Sequence, residues 1–397
     1  MLGFNTLVKN QMKSLTPLLK AISSNNKNLD IESANDELIA FSISSGLAPL
    51  IKFYSAGFST RQHSKYETLL NAAELTAKII THVQIRALDD LLRTGVPLAG
   101  EIILLKGISI CQNYYPQPQM RIMGDIDLLV SDKDAEQIKN ILLDKGYQQI
   151  SEHSDTFYQS HHHIMPFYNE NNNVWFEVHT HLFSGSNPVL DDALFDIENI
   201  FKNTVSTGMD KYTDTVKQLC PEFQLIYSCS HWAEELKLNK ACLQIIDMIF
   251  LIQNNGKGID WNKTFEWING TASASHLYLI LSYFDKYKLV NLPDNYSRLF
   301  KLKHHNMGRL NRYILHKIIH QYISGARSTG SILTVSNLEI VWGTLLGPYA
   351  SIINIVRLPW NILFPPEETN RYGLSRILSR IKHMFTPACN STKQPQK

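Results

Sequence analysis

Apolar positions recur at three- and four-residue steps from about Tyr66 to Arg93, through Leu70, Ala73, Ala77, Ile80, Ala87 and Leu91, with Gln84 filling the gap. That period marks one buried face of a long helix, and Gly95 and Pro97 supply its stop signal. At Glu101 the pattern changes. Ile102 to Leu105 is a short continuous apolar run, read as a buried strand that Lys106-Gly107 turns into a brief helix ending near Tyr115-Pro116. Beyond a Pro/Gln loop, Ile126 to Val130 is a second such strand. Ser131 or Asp132 can then cap a helix through about Lys145, with Ala135, Ile138, Ile141 and Leu142 on one face and Gly146 after its end.

Two strand-like runs follow, Tyr158 to Tyr168 and Val174 to Leu182, separated by the turn-forming cluster Asn169 to Asn173. Helical patterning returns from about Pro188, for example over Glu222 to Leu236, Ala241 to Gln253 and Ser275 to Tyr287. The expected class is α+β. An N-terminal helical region (1–95) and an α/β core (96–187) are followed by a C-terminal helical domain (188–335) and an apolar helical segment with a polar tail (336–397).

Composition adjusts this picture little. The 397 residues are 44% hydrophobic and 19% charged, an ordinary globular balance. A net charge of +2 is too small for the basic groove that nucleic-acid binding requires, and the clusters Lys301 to His305 and Arg376 to Lys382 read as solvated faces. The five cysteines are scattered without a Cys-x-x-Cys pair, which points to a reducing compartment. Met1 to Ile22 lacks the apolar core of a signal peptide, so the expected location is cytoplasmic. Val341 to Val356 is apolar but interrupted by Gly347-Pro348 and Asn354. It is shorter than the ~20 residues of a spanning helix. A buried helical hairpin is the first reading, with peripheral membrane contact through 341–382 as the second.

The candidate chemistry centres on Gly124-Asp125-Ile126-Asp127 at the start of the second strand. Residues i and i+2 of a strand share a face, and two carboxylates on one face can share a hard cation. Gly124 permits close approach of a phosphate. Glu177, an acid among the apolar and aromatic neighbours of Val174-Trp175-Phe176-Glu177-Val178-His179, is the candidate third carboxylate of a two-metal site. The bland readings are a turn or cap for Asp125 and Asp127, and a solvent-facing strand position for Glu177.

Histidines crowd the same hairpin. Pairing residue 168 with 174 sets His163 opposite His179 and puts His161, His163, Glu177, His179 and His181 on one face; a one-residue slip substitutes His162. Three readings stay open: a zinc or manganese site of a metal-dependent hydrolase, a role for His163 and His179 in orienting Glu177 or touching substrate, and purely structural histidines.

The succession Leu104-Leu105-Lys106-Gly107, Arg121 to Val130, Lys145-Gly146-Tyr147 and Phe176-Glu177-Val178-His179 resembles the uncharacterised nucleotidyltransferase family often called NTP_transf_5, a branch of the DNA polymerase beta-like nucleotidyltransferase superfamily. Looser likeness extends to Leu243–Ile252 with Asp247, Ile259-Asp260-Trp261, and Phe364-Pro365-Pro366 with Arg371-Tyr372. The resemblance implies a small mixed sheet, an NTP donor, and two magnesium ions (manganese as a substitute) held by Asp125, Asp127 and Glu177. It implies attack on the α-phosphate with release of pyrophosphate, leaving the acceptor unspecified. The wider superfamily grips the triphosphate with a Gly-Ser pair after the first strand, whereas this chain has Lys106-Gly107 and then Ile108-Ser109. Lys106, Gly107, Ser109, Arg121 and Gly124 are therefore the candidate nucleotide contacts. The alternatives are a solvated Lys106 and an Arg121 paired with an aspartate. The departure also motivates a second functional reading, a nucleotide-binding or scaffold protein of the same fold with weakened catalysis.

Overall fold

The computed structural model describes residues 16–29, 36–55, 64–94, 100–151, 155–158, 161–183, 193–207, 215–234, 241–255, 258–269, 271–294 and 296. The apolar stretch 341–356, the basic clusters at 301–305 and 376–382, and the stop signal at Gly95 and Pro97 lie outside them.

The N-terminal part is helical, with α1 (Asp36–Ser44), α2 (Ala48–Tyr54) and the long α3 (Ser64–Leu92). The core then alternates β1 (Ile102–Leu104), α4 (Lys106–Asn113), β2 (Ile126–Leu129), α5 (Asp132–Asp144) and β3 (Gln148–Gln149). A single helical turn, α6 (Asp155–Tyr158), precedes the hairpin of β4 (Phe167–Asn169) and β5 (Val174–His179). Next come α7 (Ile197–Lys202), β6 (Thr204–Ser206), β7 (Val216–Leu219), α8 (Pro221–Glu234), α9 (Ala241–Asn254), α10 (Trp261–Trp267) and α11 (Ala272–Tyr287). Among the described residues no helix is long and apolar enough to cross a membrane.

Local signals act as expected around α5. The Ser131 hydroxyl accepts from the Asp134 amide at 3.2 Å, and Gly146 takes φ +82° just past the helix end. The hairpin departs from expectation. Residues 155–158 are helical, and the first strand is confined to 167–169, where Asn169 pairs with Val174. That is one residue away from the expected 168–174 pairing. The turn absorbs the difference through Asn173 at φ +53° and through the Asn169 and Asn172 side chains, which accept from the amides of Asn171 and Val174.

The expected contact nevertheless returns further along. His163 bridges His179, so four steps from 163 to 167 oppose three from 176 to 179. The extra residue is a bulge around Met165-Pro166, where proline has no amide to give the ladder. Two strands, β6 and β7, also lie within the stretch whose patterning reads as helical.

The sheet is mixed, in the order β3-β4-β5-β2-β1-β7-β6. β2 runs parallel to β5 and antiparallel to β1, and β7 runs parallel to β1. The fold is α+β. One face carries Ile102, Leu104, Ile126, Leu128, Phe176 and Val178, which pack with Leu88 and Leu91 of α3 and Ile138 and Leu142 of α5. Full burial of a side chain such as Phe176 contributes about 1.5–3 kcal/mol. The other face carries Ile103, Leu129 and Leu219, packed with residues of α8, α9 and α11. Strand alternation assigns Asp127, Glu177 and His179 to this second face.

Candidate active site

Asp127 and Glu177 are direct partners across the parallel β2–β5 ladder. Both are therefore held by main-chain pairing at one level of the sheet, beneath the helical layer. A cleft of about 290 Å³ opens over them. Its floor is Lys106, Gly107, Arg121, Gly124, Asp125, Asp127 and Glu177, and its opposite wall is Tyr227, Ser228 and His231 of α8 with Gln244 and Asp247 of α9.

Asp127 is 2% exposed and closely surrounded. The Lys106 Nζ donates to its Oδ1 at 2.8 Å and stands 4.0 Å from Glu177 Oε2. The His179 Nε2 lies 2.9 Å from the same Asp127 oxygen and 3.5 Å from Glu177 Oε2. Burial alone would raise the Asp127 carboxyl, but the Lys106 ammonium and the hydrogen bonds from His179 and Lys106 outweigh it and hold the group well below the usual range. Burial likewise raises Glu177 and neighbouring Asp127 opposes its ionisation, yet His179 and Lys106 bring it below its ordinary value. For His179, burial and Lys106 act downward, and the two carboxylates reverse the balance and raise it.

Lys106 reaches this position from an unusual backbone. Its φ is +45°, a left-handed conformation that L-residues seldom adopt, at the junction of β1 and α4. Gly107, the next residue, is required by close approach: a Cβ there would meet Met123 Cγ at 2.9 Å. The start of α4 is thus drawn against the loop that leads into Gly124 and Asp125.

The remaining candidates divide. Arg121 lines the cleft, but its Nε donates to Asp247 Oδ1 and Oδ2 at 2.8 and 3.0 Å, and its other arm donates to the Ile122 carbonyl. The Tyr115 hydroxyl donates to the same Asp247 carboxylate at 2.6 Å. Ser109 is fully buried away from the cleft, and its hydroxyl donates to Gln218 of β7 at 3.2 Å. His163 lies behind the site, its ring 5.3 Å from that of His179. Sequence patterning missed Tyr227, Ser228, His231 and Gln244. The available signal was Ser228 and His231, three residues apart and so on one face of the expected helix. Burial and the charge of Lys106 hold His231 well below the ordinary histidine value, so it is a neutral imidazole facing the carboxylates' cleft.

A family model described as an uncharacterised nucleotidyltransferase matches residues 33–287 of the chain. The chain belongs to that nucleotidyltransferase family. No curated protein and no solved structure matches it. The family match spans α1 to α11 and so includes both walls of the cleft.

The donor set suits a hard divalent ion. Asp127, Glu177 and His179 offer ligand atoms that all lie within 4.8 Å of one another, and Asp125 lines the same cleft. The position between the two carboxylates already attracts a cation, because the Lys106 ammonium lies against both. An ion taking that position would displace the ammonium toward the open cleft.

Proposed function

We propose that this protein is a magnesium-dependent nucleotidyltransferase that transfers a nucleoside monophosphate from an NTP, with release of pyrophosphate, to a small-molecule, carrier or protein acceptor. The observation that carries the reading is the pairing of Asp127 with Glu177 on one level of the β2–β5 ladder, with Asp125 on the same cleft, in a chain of this family. Asp125, Asp127 and Glu177 would hold the metal, which when bound supplies electrostatic stabilisation of the charge that develops on the phosphate oxygens.

The protein's own groups have separable tasks. Lys106, released from Asp127, would donate to the triphosphate as a point charge. The start of α4 at Lys106-Gly107 would offer main-chain amides to an anion, and the exposed Gly124 leaves room for it. The His179 Nε2 fixes Asp127 and Glu177 in place, and α8 and α9 form the wall an acceptor would meet. The four described cysteines are free thiols, in keeping with the expected cytoplasmic location.

Incubation with labelled NTPs, magnesium and cell lysate should give pyrophosphate release and a labelled acceptor, both lost in Asp127→Asn and Glu177→Gln. Nucleotide binding that is indifferent to magnesium and to both substitutions would sink the reading. One observation favours a nucleotide-binding scaffold instead: the Lys106 ammonium lies 2.8 Å from Asp127 Oδ1, in the position a catalytic ion would need. Sustained pyrophosphate release rules that out.

A further inference from the structure

We propose that His161, His162 and His163 form a second metal site, a nitrogen-donor site for a divalent transition ion of the zinc type, distinct from the carboxylate site and joined to it through His179. The three consecutive histidines lie in the bend beyond the Met165-Pro166 bulge, where strand alternation no longer sends neighbouring side chains to opposite faces. Their ligand atoms all lie within 4.8 Å of one another. The ring centroids are 4.1, 4.3 and 4.8 Å apart. Three imidazoles on one tetrahedral ion, with metal–nitrogen bonds of about 2.0–2.1 Å, would have centroids roughly 5 Å apart, so small ring movements suffice.

The hydrogen bonding points the same way. His163 Nδ1 lies 2.8 Å from the Ile164 carbonyl oxygen, to which it must donate. That fixes the tautomer and leaves Nε2 with its lone pair, the arrangement by which metal-binding histidines are usually oriented. His162 Nδ1 is buried without a hydrogen-bond partner, an expense that ligation removes. The backbone is also held: the Ile164 amide donates to Val178 O at 3.0 Å, and the amides of Thr180 and His181 donate to His162 O at 2.9 and 3.1 Å.

Imidazole donors suit zinc and its neighbours, whereas magnesium prefers oxygen. The two sites therefore select different ions from one solution. Three protein nitrogens leave a fourth position, and the partial exposure of His161 and His162 opens it to solvent. Rings of His162 and His163 lie 5.1 and 5.3 Å from that of His179. An ion here would brace the side of His179 away from Asp127 and pin the bulge that sets His163 opposite it.

The test uses tag-free, full-length protein stripped of metal and titrated with cobalt(II) in excess magnesium. The expected result is one cobalt per chain with the visible bands of a four-coordinate ion. Affinity should fall in His161→Gln/His162→Gln by more than the roughly 10–100-fold that loss of a mere supporting partner costs. It should persist in Asp127→Asn/Glu177→Gln. Absence of stoichiometric binding, or loss of cobalt only in the carboxylate variant, overturns the proposal. Should the histidine variant fail to fold, footprinting of the natural protein with diethylpyrocarbonate decides. Zinc must protect residues 161 to 163, and equal modification with and without zinc refutes the site.

Discussion

Replacing Lys106 by methionine removes the ammonium while keeping most of the stem. At 2.8 Å from Asp127 Oδ1 the direct attraction is about 6 kcal/mol in a medium of effective dielectric near 20. The ammonium regains several kcal/mol by no longer being desolvated, its side chain being 19% exposed and that of Asp127 3%. The net loss should be about 3 kcal/mol, because an almost fully buried carboxylate is left with only His179 as its partner. The same substitution vacates the place where a metal would bind. Magnesium at a hundred times its dissociation constant should therefore return about 2.7 kcal/mol, and bind more tightly than to the natural protein. Lys106→Gly sharpens the comparison. It removes the same charge and relieves the left-handed φ of +45°, worth about 1 kcal/mol, but it also deletes the largely buried stem, so it should be no more stable than the methionine variant. Urea unfolding followed by tryptophan fluorescence, with and without magnesium, measures all three quantities. If Lys106→Met is as stable as the natural protein without metal, or is weakened and gains nothing from magnesium, the account of Lys106 as a resident counter-ion is wrong.

Two further outcomes follow from buried geometry. Asp247→Ala strands the Arg121 guanidinium and the Tyr115 hydroxyl together and should cost about 3–5 kcal/mol in chemical denaturation, most of it recovered in Arg121→Met/Asp247→Leu; a loss below 1 kcal/mol would contradict a structural role for the pair. Deleting Met165 removes the extra residue of the bulge, so that three steps from His163 to Phe167 oppose three from Phe176 to His179. His163 should stay opposite His179 in an unbroken ladder, and loss of the native bend should cost about 1–3 kcal/mol. Hydrogen exchange should then show unchanged protection at Phe167 to Asn169, and weakened protection there would mean that the strand pairing depends on the extra residue.

What the sequence made legible was local. The Ser131 cap, the Gly146 terminus and the long helix through Leu70 and Leu91 each depend on residues within a few turns of one another, and the structure contains all three. The order of motifs also led to the right family. What resisted reading was set by distant pairing. Nothing near Asp127 or Glu177 announces that their strands run parallel and adjacent. The short segments Thr204–Ser206 and Val216–Leu219 lack an alternation long enough to stand out, yet they complete the sheet. Arg121 reads equally as a phosphate contact and as the partner of an aspartate, and only the fold shows that the aspartate is Asp247, 126 residues later. The opposite wall of the cleft was invisible for a related reason: a neutral buried histidine such as His231 has the same sequence context as one that merely fills a core.

The rung shared by Asp127 and Glu177 lies in the interior of the sheet, flanked by β1 on one side and β4 on the other. Strands so enclosed keep a spacing of ~4.8 Å that main-chain hydrogen bonds dictate. The gap between the two acids is accordingly gauged by the peptide backbone and is insensitive to the identity of the surrounding side chains. The facing wall belongs to a different layer and carries no part of that gauge. Substitutions in α8 and α9 can recut the facing half of the cleft while the interval between the acids stays fixed, so one scaffold can change what it admits without being recalibrated.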